Sequence, residues 1–451
     1  MRKINLFKTA LFCGDILLMY TSLAFSLFIR NRALLDQFKD FFYNFLILYI
    51  IWIFVIFVIS LYDLNYFKKA KEFFFNLAIF SIASFFIGVT YFYFRPEFGI
   101  TPKTILLINI LIFDVLFFLW RYLFNLFLEA RRVKEKVVIV GYYERLNEIL
   151  PQIKKAYEVV SFFCPSYVDG QNKCLSFSPD IKTVSEIDDF KNVVLDMKVT
   201  AIIFALDFYS NKDLVKKIFN VLPLNINYIA IDEIYESLTK KIGLDYLDEV
   251  WFLEKISRSE DVLSKSIKRI LDIVLSIIGL CIFAISFPFI AFAIKLDSNG
   301  NIFYPQQRVG KNGKIFGIYK FRTMKDRINN EESLWREKDA GSITRVGRFL
   351  RRAHIDELPQ AWSIFKGDLS FVGPRPEWTE MAKEFEKGIP FYKQRYLVKP
   401  GLIGWAQINY KASKSVEEAQ EKFEYDLYYI KNHSILLDLE IIFKAIKLFI
   451  F

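Results

Sequence analysis

Along the first third of the chain the hydrophobic positions are nearly continuous, broken by short polar stretches into runs at roughly 9–29, 41–62, 73–94 and 104–128. A helix rises ~1.5 Å per residue and needs ~20 apolar residues to cross the hydrocarbon core, so this pattern predicts four membrane helices within residues 1–130. The first run is too long for a signal peptide and lacks a small-residue cleavage pattern, so it is read as a helix of the mature chain. From about 133 to 250 the period shortens. "KVVIVG" (136–141), "VTAIIFAL" (199–206) and "INYIAI" (226–231) are strand-length β-branched runs, and "SNKDLVKKIFNVL" (210–222) has helical spacing between two of them. That rhythm predicts a small parallel α/β domain over 131–250. A strand running into Gly141 invites a dinucleotide-binding reading. "GYYERL" has no second or third glycine to let backbone approach a pyrophosphate, so a regulatory or oligomerising role, including a homodimer contact, is preferred.

Residues 251–265 are polar and read as a linker or juxtamembrane helix. A further apolar run follows, "SIKRILDIVLSIIGLCIFAISFPFIAFAIKLDS" (266–298), with Lys268 and Arg269 before it, Lys295 near its end and Pro288 inside it. Proline removes a helical hydrogen bond and clashes with the preceding turn, an interior cost of ~3 kcal/mol unless a bend is wanted. Ser286 can satisfy a carbonyl freed at such a bend. The pattern predicts a re-entrant helix over 266–296, broken near Ser286 and Pro288, with both ends on one face of the bilayer. The last stretch, "SILLDLEIIFKAIKLFIF" (434–451), sets Glu440, Lys444 and Lys447 at helical spacing among apolar residues. It fits a helix lying in the membrane surface, or a buried core helix.

Basic residues give the orientation. Arg2, Lys3 and Lys8, then Lys68, Lys69 and Lys71, then Arg131, Arg132, Lys134 and Lys136 outnumber Arg30, Arg32, Lys39, Arg95 and Lys103 on the other side, which places the N-terminus and everything after 130 in the cytoplasm. Asp15, Asp114 and Arg121 fall inside or near the ends of the apolar runs, where pairing within the bundle or snorkelling is the expected accommodation. Composition agrees with membrane residence, since 53% hydrophobic and 18% aromatic residues are high for a soluble protein. Cys13, Cys164, Cys174 and Cys281 have no metal-type or disulfide-framework spacing. With only His354 and His433, a zinc site or a Ser-His or Cys-His catalytic unit is disfavoured. The net charge of +10 suits anionic lipid or phosphorylated substrates. A nucleic-acid binder would show a continuous basic stripe, and here the arginines cluster about acids.

The chemistry concentrates in "TRVGRFLRRAHIDELPQAWSIFKGDLSFVGPRPEW" (344–378). Arg345, Arg348, Arg351, Arg352 and Arg375 surround the adjacent pair Asp356 and Glu357, and guanidinium forks match phosphate oxygens in a way Lys cannot. Five such groups near one carboxylate pair point to a diphosphate. Asp356 reads as a helix N-cap, with Glu357 first in the helix and Pro359 in its first turn, which would set bound phosphate at the positive end of the dipole. Upstream, "IFGIYKFRTM" reads as a strand presenting Lys320 or Arg322 at one edge. Downstream, "GDLSFVGPRPE" and "VKPGLIGWAQI" are Gly/Pro-punctuated loops of the kind that carry ligands.

Taken together, "KRILDIVLSIIGL", "QQRVGKNGKIFGIYKFRTM", "FLRRAHIDELPQ", "GDLSFVGPRPE", "KPGLIGWAQI" and "YDLYYIKNHSILLDLEII" make residues 264–451 resemble the monotopic phosphoglycosyl transferases, also called bacterial sugar transferases or polyprenyl glycosylphosphotransferases. Four membrane helices followed by a degenerate Rossmann-like α/β domain resemble the long form of that family. The resemblance implies a fold in three parts: a membrane α-helical bundle (1–130), the Rossmann-like α/β domain (131–250), and, after the 251–265 linker, a mixed α+β monotopic catalytic domain with a re-entrant helix (266–451).

It also implies a two-step exchange at the cytoplasmic face of the bacterial inner membrane. Asp356 would attack the β-phosphorus of a UDP-sugar, with a galactose or glucose donor favoured, and expel UMP; undecaprenyl phosphate would then take the phosphosugar, priming exopolysaccharide, capsule or O-antigen synthesis. Glu357 would help hold Mg²⁺, and Lys320, Arg322, Arg351, Arg352 and Arg375 are the candidate substrate contacts. His354 is assigned a structural role, because both nucleophiles are already anions. One departure is Ser342 in "AGSITRVG", where the family often carries a basic residue. A catalytically silent scaffold for polysaccharide assembly is the competing reading, and it has no need of a carboxylate pair among arginines.

Overall fold

The structure, a computed structural model, describes residues 2–31, 35–59, 61, 70–94, 101–130, 134–141, 145–163, 181–184, 192, 194–204, 219, 226–256, 262–325, 343–410 and 415–450. The chain divides into two compact units, Met1–Val133 and Lys134–Phe451.

Four helices make the first unit: α1 (Arg2–Asn31), α2 (Leu35–Val58), α3 (Ala70–Tyr93) and α4 (Thr101–Ala130). Among the described residues, Ala10–Arg30, Phe73–Tyr93 and Thr104–Phe127 are long and apolar enough to cross a membrane, as is Ser264–Asp297 in the second unit, whereas the apolar stretch of α2, Phe41–Phe57, is shorter. Aromatic packing forms the bundle core, with the Trp52 ring 5.6 Å from Phe80 and 5.8 Å from Phe113. Several polar groups inside it are paired within the bundle. Tyr49 Oη donates to the Met19 carbonyl, and Asn109 Nδ2 donates to Ser22 Oγ and Tyr49 Oη. Arg121 Nη2 and Asp15 Oδ2 form a fully buried pair at 2.8 Å, and Ser81 Oγ donates to Asp114 at 2.6 Å. The membrane charges are therefore matched within the bundle.

The second unit opens with β1 (Glu135–Val140), α5 (Leu146–Ala156), β2 (Tyr157–Phe163), β3 (Lys182–Val184), β4 (Ala201–Phe204), β5 (Asn227–Ala230) and α6 (Ile231–Thr239). Its five strands are all parallel, in the order β3-β2-β1-β4-β5. Val137 to Val140 are wholly buried because both faces are covered: Ile149 and Ile153 of α5 and Ile234 of α6 pack on one side, and Val194 and Ile226 on the other. Continuous apolar strands are the signature of that arrangement. The periodicity located β1, β4 and β5. It did not single out β2 or β3, and the helix predicted at 210–222 lies outside the described residues apart from Phe219.

Then α7 (Glu249–Lys255) starts at Asp248, whose side chain caps the Trp251 amide at 2.6 Å. Trp251 and Phe252 are buried against Phe385, Tyr392 and Phe423, so the beginning of the stretch read as a linker belongs to the core of this unit. The partners that bury it come from 130 or more residues downstream, which a local polarity pattern does not register.

The remaining elements are α8 (Val262–Asp297), the antiparallel hairpin β6 (Phe303–Val309) and β7 (Ile315–Phe321), α9 (Arg345–Arg352), a 3-10 turn (Ile355–Gln360), α10 (Ala361–Lys366), β8 (Ser370–Val372), α11 (Thr379–Gly388), a second 3-10 turn (Tyr392–Leu397), β9 (Gly401–Ile403), α12 (Trp405–Asn409), α13 (Val416–Asn432) and α14 (Ile435–Ile450). Helix α8 lies against this unit from end to end. Near its start Asp272 accepts from Ser370 Oγ and the Phe371 amide; midway Phe283 and Phe287 pack against Phe303 and Phe321; at its end Asp297 accepts from the Val346 amide at 2.7 Å. Its outer face is an exposed apolar stripe that includes Ile270, Val274, Ile278, Ile285, Phe289 and Phe292.

The chain stays helical through Pro288, from Val262 to Asp297, so the proline lies inside one helix rather than between two. Ser286 Oγ donates to the Ile282 carbonyl at 2.7 Å, one turn back, and the aromatic contacts of Phe283 and Phe287 hold the same turns in place. Helix α14 combines both readings of its sequence: Leu437, Ile441 and Ala445 are buried, and Leu436, Ile446 and Leu448 are exposed.

Candidate active site

Five elements converge on one carboxylate pair. Asp356 and Glu357 lie in the 3-10 turn, entered through His354 with a left-handed φ of 53°. His354 rather than Asp356 therefore holds the cap position, and the α-helix proper starts at Ala361. The reversal at His354 turns the chain out of α9 and presents the two acids next to β7. Lys320, on β7, donates to Glu357 Oε1 at 2.5 Å. Arg375, in the loop after β8, donates through Nη1 to Glu357 Oε2 at 3.3 Å and through Nη2 to Oε1, and Nη1 also reaches the Leu402 carbonyl at 3.1 Å.

The Gly-rich loops make this placement possible. A Cβ on Gly401 would sit 2.0 Å from the Gly373 amide nitrogen, so "GPRP" and "KPGLIG" can press together only as glycines. Parallel pairing of β8 with β9 carries the two loops alongside each other.

The two acids differ in environment. Burial pushes Glu357 upward, but the Arg375 guanidinium and the Lys320 ammonium outweigh it and hold the carboxyl down at about 2. Asp356 is raised, by burial and then by the neighbouring Glu357 charge, against the pull of Lys320, Arg351 and His354. Among the described residues Asp356 makes no hydrogen bond or ion pair. One carboxylate is thus fully paired and anchors two cations, while the other is left with its oxygens open. Environments that split a carboxylate pair in this way assign different roles to the two members.

Arg351 donates to Thr323 Oγ1 at 2.8 Å on the Asp356 side of the cluster. Of the five arginines gathered in the sequence, Arg345, Arg348 and Arg352 are exposed on α9 and form no ion pair with either acid among the described residues. Arg322 is also outside the cluster. The chain turns after Phe321, and the buried Arg322 guanidinium donates to the carbonyls of Ser298 and Asn299, tying the end of α8 to the hairpin. Ser342 lies outside the described residues.

A second layer, which the sequence reading did not single out, fixes Arg375. Arg395 is buried; its Nη2 donates to the Arg375 carbonyl at 2.6 Å and its Nε to Asp426 at 2.7 Å. Glu377 accepts from Lys422 and lies 3.8 Å from Arg395. Burial raises Glu377, but Lys422 and Arg395 prevail and hold it at about 2. Only Glu377, within "GPRPE", left a local trace in the sequence; the Arg395–Asp426 pair joins positions 31 residues apart.

A cavity of about 620 Å³ opens beside these groups. Glu357, Arg375, Glu377 and Lys422 form its polar end, and Phe371, Leu402, Ile408 and Leu448 are among its apolar walls. Gly279 of α8 and Ala445 of α14 also line it, so the cavity reaches the two helices that expose apolar faces. Among the described residues no three or more metal-type side chains cluster. Mg²⁺ commonly takes only one or two carboxylates and completes its shell with water and substrate phosphate; here both Glu357 oxygens already accept from Lys320 and Arg375, and Asp356 is the carboxylate with open oxygens among the described residues.

An apolar-faced helix, a split carboxylate pair and a cavity lined by Arg375 and Lys422 thus meet in a chain with four helices, among the described residues, long and apolar enough to cross a membrane. A family model described as bacterial sugar transferase matches residues 263–451. Over 217 residues the chain is 38% identical to the UDP-N-acetylgalactosamine-undecaprenyl-phosphate N-acetylgalactosaminephosphotransferase of Aeromonas hydrophila, covering 48% of this chain and 51% of that protein. It is 36% identical over 185 residues to the UDP-glucose:undecaprenyl-phosphate glucose-1-phosphate transferase of Escherichia coli (strain K12), covering 41% and 40%. With the uncharacterized sugar transferase EpsL of Bacillus subtilis (strain 168) it shares 38% over 185 residues, covering 40% of this chain and 86% of that protein. The chain belongs to the bacterial sugar transferase family. It spans about half the length of the first of these relatives and less of the second.

Proposed function

We propose that this protein transfers a sugar 1-phosphate from a UDP-sugar to undecaprenyl phosphate. The observation that carries the reading is the unpaired, half-buried Asp356 carboxylate held next to a cation-paired Glu357. A carboxylate oxygen of Asp356 attacks the β-phosphorus; the bond from that phosphorus to the bridging oxygen breaks, and UMP leaves with that oxygen. A phosphosugar is then esterified to Asp356. An oxygen of undecaprenyl phosphate attacks the same phosphorus, the Asp356–phosphorus bond breaks, and the lipid diphosphosugar departs with the carboxylate regenerated. Neither step transfers a proton, which leaves His354 without a base role. Lys320, Arg351 and Arg375 hold the phosphate oxygens, and Arg395 keeps Arg375 in place. Glu357 would help hold Mg²⁺ once Lys320 and Arg375 turn from it to the phosphate oxygens, and the ion would supply positive charge so that one anion can approach another.

The re-entrant arrangement of α8 is part of the proposal. Both ends of the helix bond to the same globular unit, through Asp272 and Asp297, while its outer stripe is apolar, and this supports an anchor that returns to the cytoplasmic face. Cysteines placed beside Lys295 are expected to react from the cytoplasmic side; labelling from the opposite side would overturn the topology. The β3-β2-β1-β4-β5 order of the parallel sheet supports a Rossmann-like domain, one whose phosphate-binding glycines are lost. We assign the product to the priming of a surface polysaccharide such as exopolysaccharide, capsule or O-antigen. Galactose and glucose are the proposed sugars, and a panel of UDP-sugars that includes N-acetylated donors, scored by UMP release and by lipid-product mass, tests that choice. In the same assay Asp356→Asn is expected to fall to background. Release no higher than background by the wild type as well would leave a membrane scaffold as the better account, and release by the variant equal to that of an active wild type would remove Asp356 from the nucleophile's role.

A further inference from the structure

A second cavity, of about 380 Å³, lies between the first turns of α8, the β6–β7 turn and the start of α14, and shares no lining residue with the active-site cavity. Lys265, Lys268, Arg269, Lys311 and Lys399 all line it, against two carboxylates, Asp272 and Asp438. Both acids are engaged. Asp272 accepts from Ser370 and the Phe371 amide, and Asp438 from Lys268 and Tyr429.

Lys311 and Lys399 have no carboxylate within 4.0 Å among the described residues. The cations also crowd one another: Lys399 Nζ and Arg269 Nη2 each come within 3.4 Å of the point where a Cβ on Gly367 would sit. Burial, then Arg269, with Lys311 adding to it, pulls the Lys399 ammonium below its usual range. Lys268, Arg269 and Lys399 are partly buried and Lys265 and Lys311 exposed, so the group presents an anion with lysines at its mouth and a cation deeper in, where charge-assisted hydrogen bonds are stronger.

The surroundings say which anion. Ile267, Ile270 and Leu271 of α8 and Leu436 of α14 are exposed around the cavity, at the end of the stripe that faces hydrocarbon. A neighbouring cavity of about 690 Å³ shares Lys265, Lys311, Val398 and His433 with this one and is walled by Phe252, Leu253, Phe391 and Leu397. A charged chamber opening on an apolar one, at the foot of a membrane anchor, fits a phosphate carried on an acyl chain.

We infer that this cavity is a headgroup site for an anionic phospholipid, separate from the site of the sugar-phosphate exchange, with Lys311 and Lys399 as its phosphate contacts. It seats the catalytic unit at a set depth on the bilayer, independently of the reaction assigned to Asp356.

Native mass spectrometry of the full chain released from nanodiscs tests this without reference to turnover. From discs of phosphatidylglycerol mixed with phosphatidylcholine, wild type is expected to retain one phosphatidylglycerol. Lys311→Gln/Lys399→Gln is expected to lose that retention by about thirtyfold, the factor that corresponds to two basic residues at ~1 kcal/mol each near an anionic surface. Lys311→Arg/Lys399→Arg, which keeps the charges, is expected to retain the lipid and so separates loss of the site from loss of the fold. Equal retention of the two lipids, or undiminished retention by the Gln variant, overturns the site. Displacement of phosphatidylglycerol by inorganic phosphate alone would overturn its assignment to a lipid.

Discussion

Glu357 and Asp356 are adjacent in the chain and opposite in circumstance. Glu357 holds Lys320 and Arg375 in position, and replacing it by Gln leaves two largely buried cations facing a neutral amide. Breaking a buried pair by removing one partner costs about 3–5 kcal/mol, so Glu357→Gln is expected to lower the melting temperature as well as UMP release. Because the folded value of Glu357, about 2, lies below its ordinary 4.5, the stability from this trio is full above 4.5 and is lost as pH falls toward 2. Asp356 is displaced the other way. Its ionised form is the nucleophile, so the acid limb of kcat/KM is expected above the ordinary 3.8 of an aspartate, at a pH where Glu357 does not titrate. A limb at or below 3.8 would remove Asp356 from the nucleophile's role. The motif around these residues is short and was legible in sequence. Arg322 was not separable from Lys320 by strand alternation alone, since the turn after Phe321 sends its side chain to the end of α8.

Elements matter through where they press together. The parallel pair β8 and β9 is only three residues long on each side, yet it fixes the distance between the loop carrying Arg375 and Leu402 on β9. Gly401→Ala would drive a methyl into the Gly373 amide and is expected to cost about 3 kcal/mol, the upper end of overpacking. Differential scanning measurements on the purified variant check this, with UMP release falling alongside because Arg375 shifts. Behind them, the contact of the second 3-10 turn with α13 through Arg395 and Asp426 was invisible in sequence, because neither residue has a local signature and their pairing needs both elements folded. Helix α8 shows a converse effect. Proline chemistry predicts a break there, and the chain nevertheless stays helical on both sides of Pro288, with Phe283 and Phe287 docked on the hairpin.

For the whole molecule, the division into Met1–Val133 and Lys134–Phe451 predicts separable roles. The Bacillus subtilis relative, 86% of which aligns with this chain over 185 residues, has little room for a further domain. A chain of residues 134–451 is therefore expected to release UMP from its donor in detergent within about tenfold of the full chain, the equivalent of ~1.4 kcal/mol. Loss of activity with retained folding would make the first unit part of the catalytic machinery. Within the second unit the α/β sheet is tied to α13 by Arg145, 2.7 Å from Glu424, and by Lys241, 3.1 Å from Glu421, so these two parts are not expected to separate as cleanly.

The sequence by itself located the four N-terminal apolar helices, the buried strands β1, β4 and β5 and the carboxylate motif, because each is written in residues within a few positions of one another. The tertiary structure alone decided which of the arginines reach the acids, that Trp251 and Phe252 belong to a core, and that five cations meet in a second cavity. Those outcomes depend on side chains brought together from distant parts of the chain, and burial, the term that sets their energies, has no local sequence pattern.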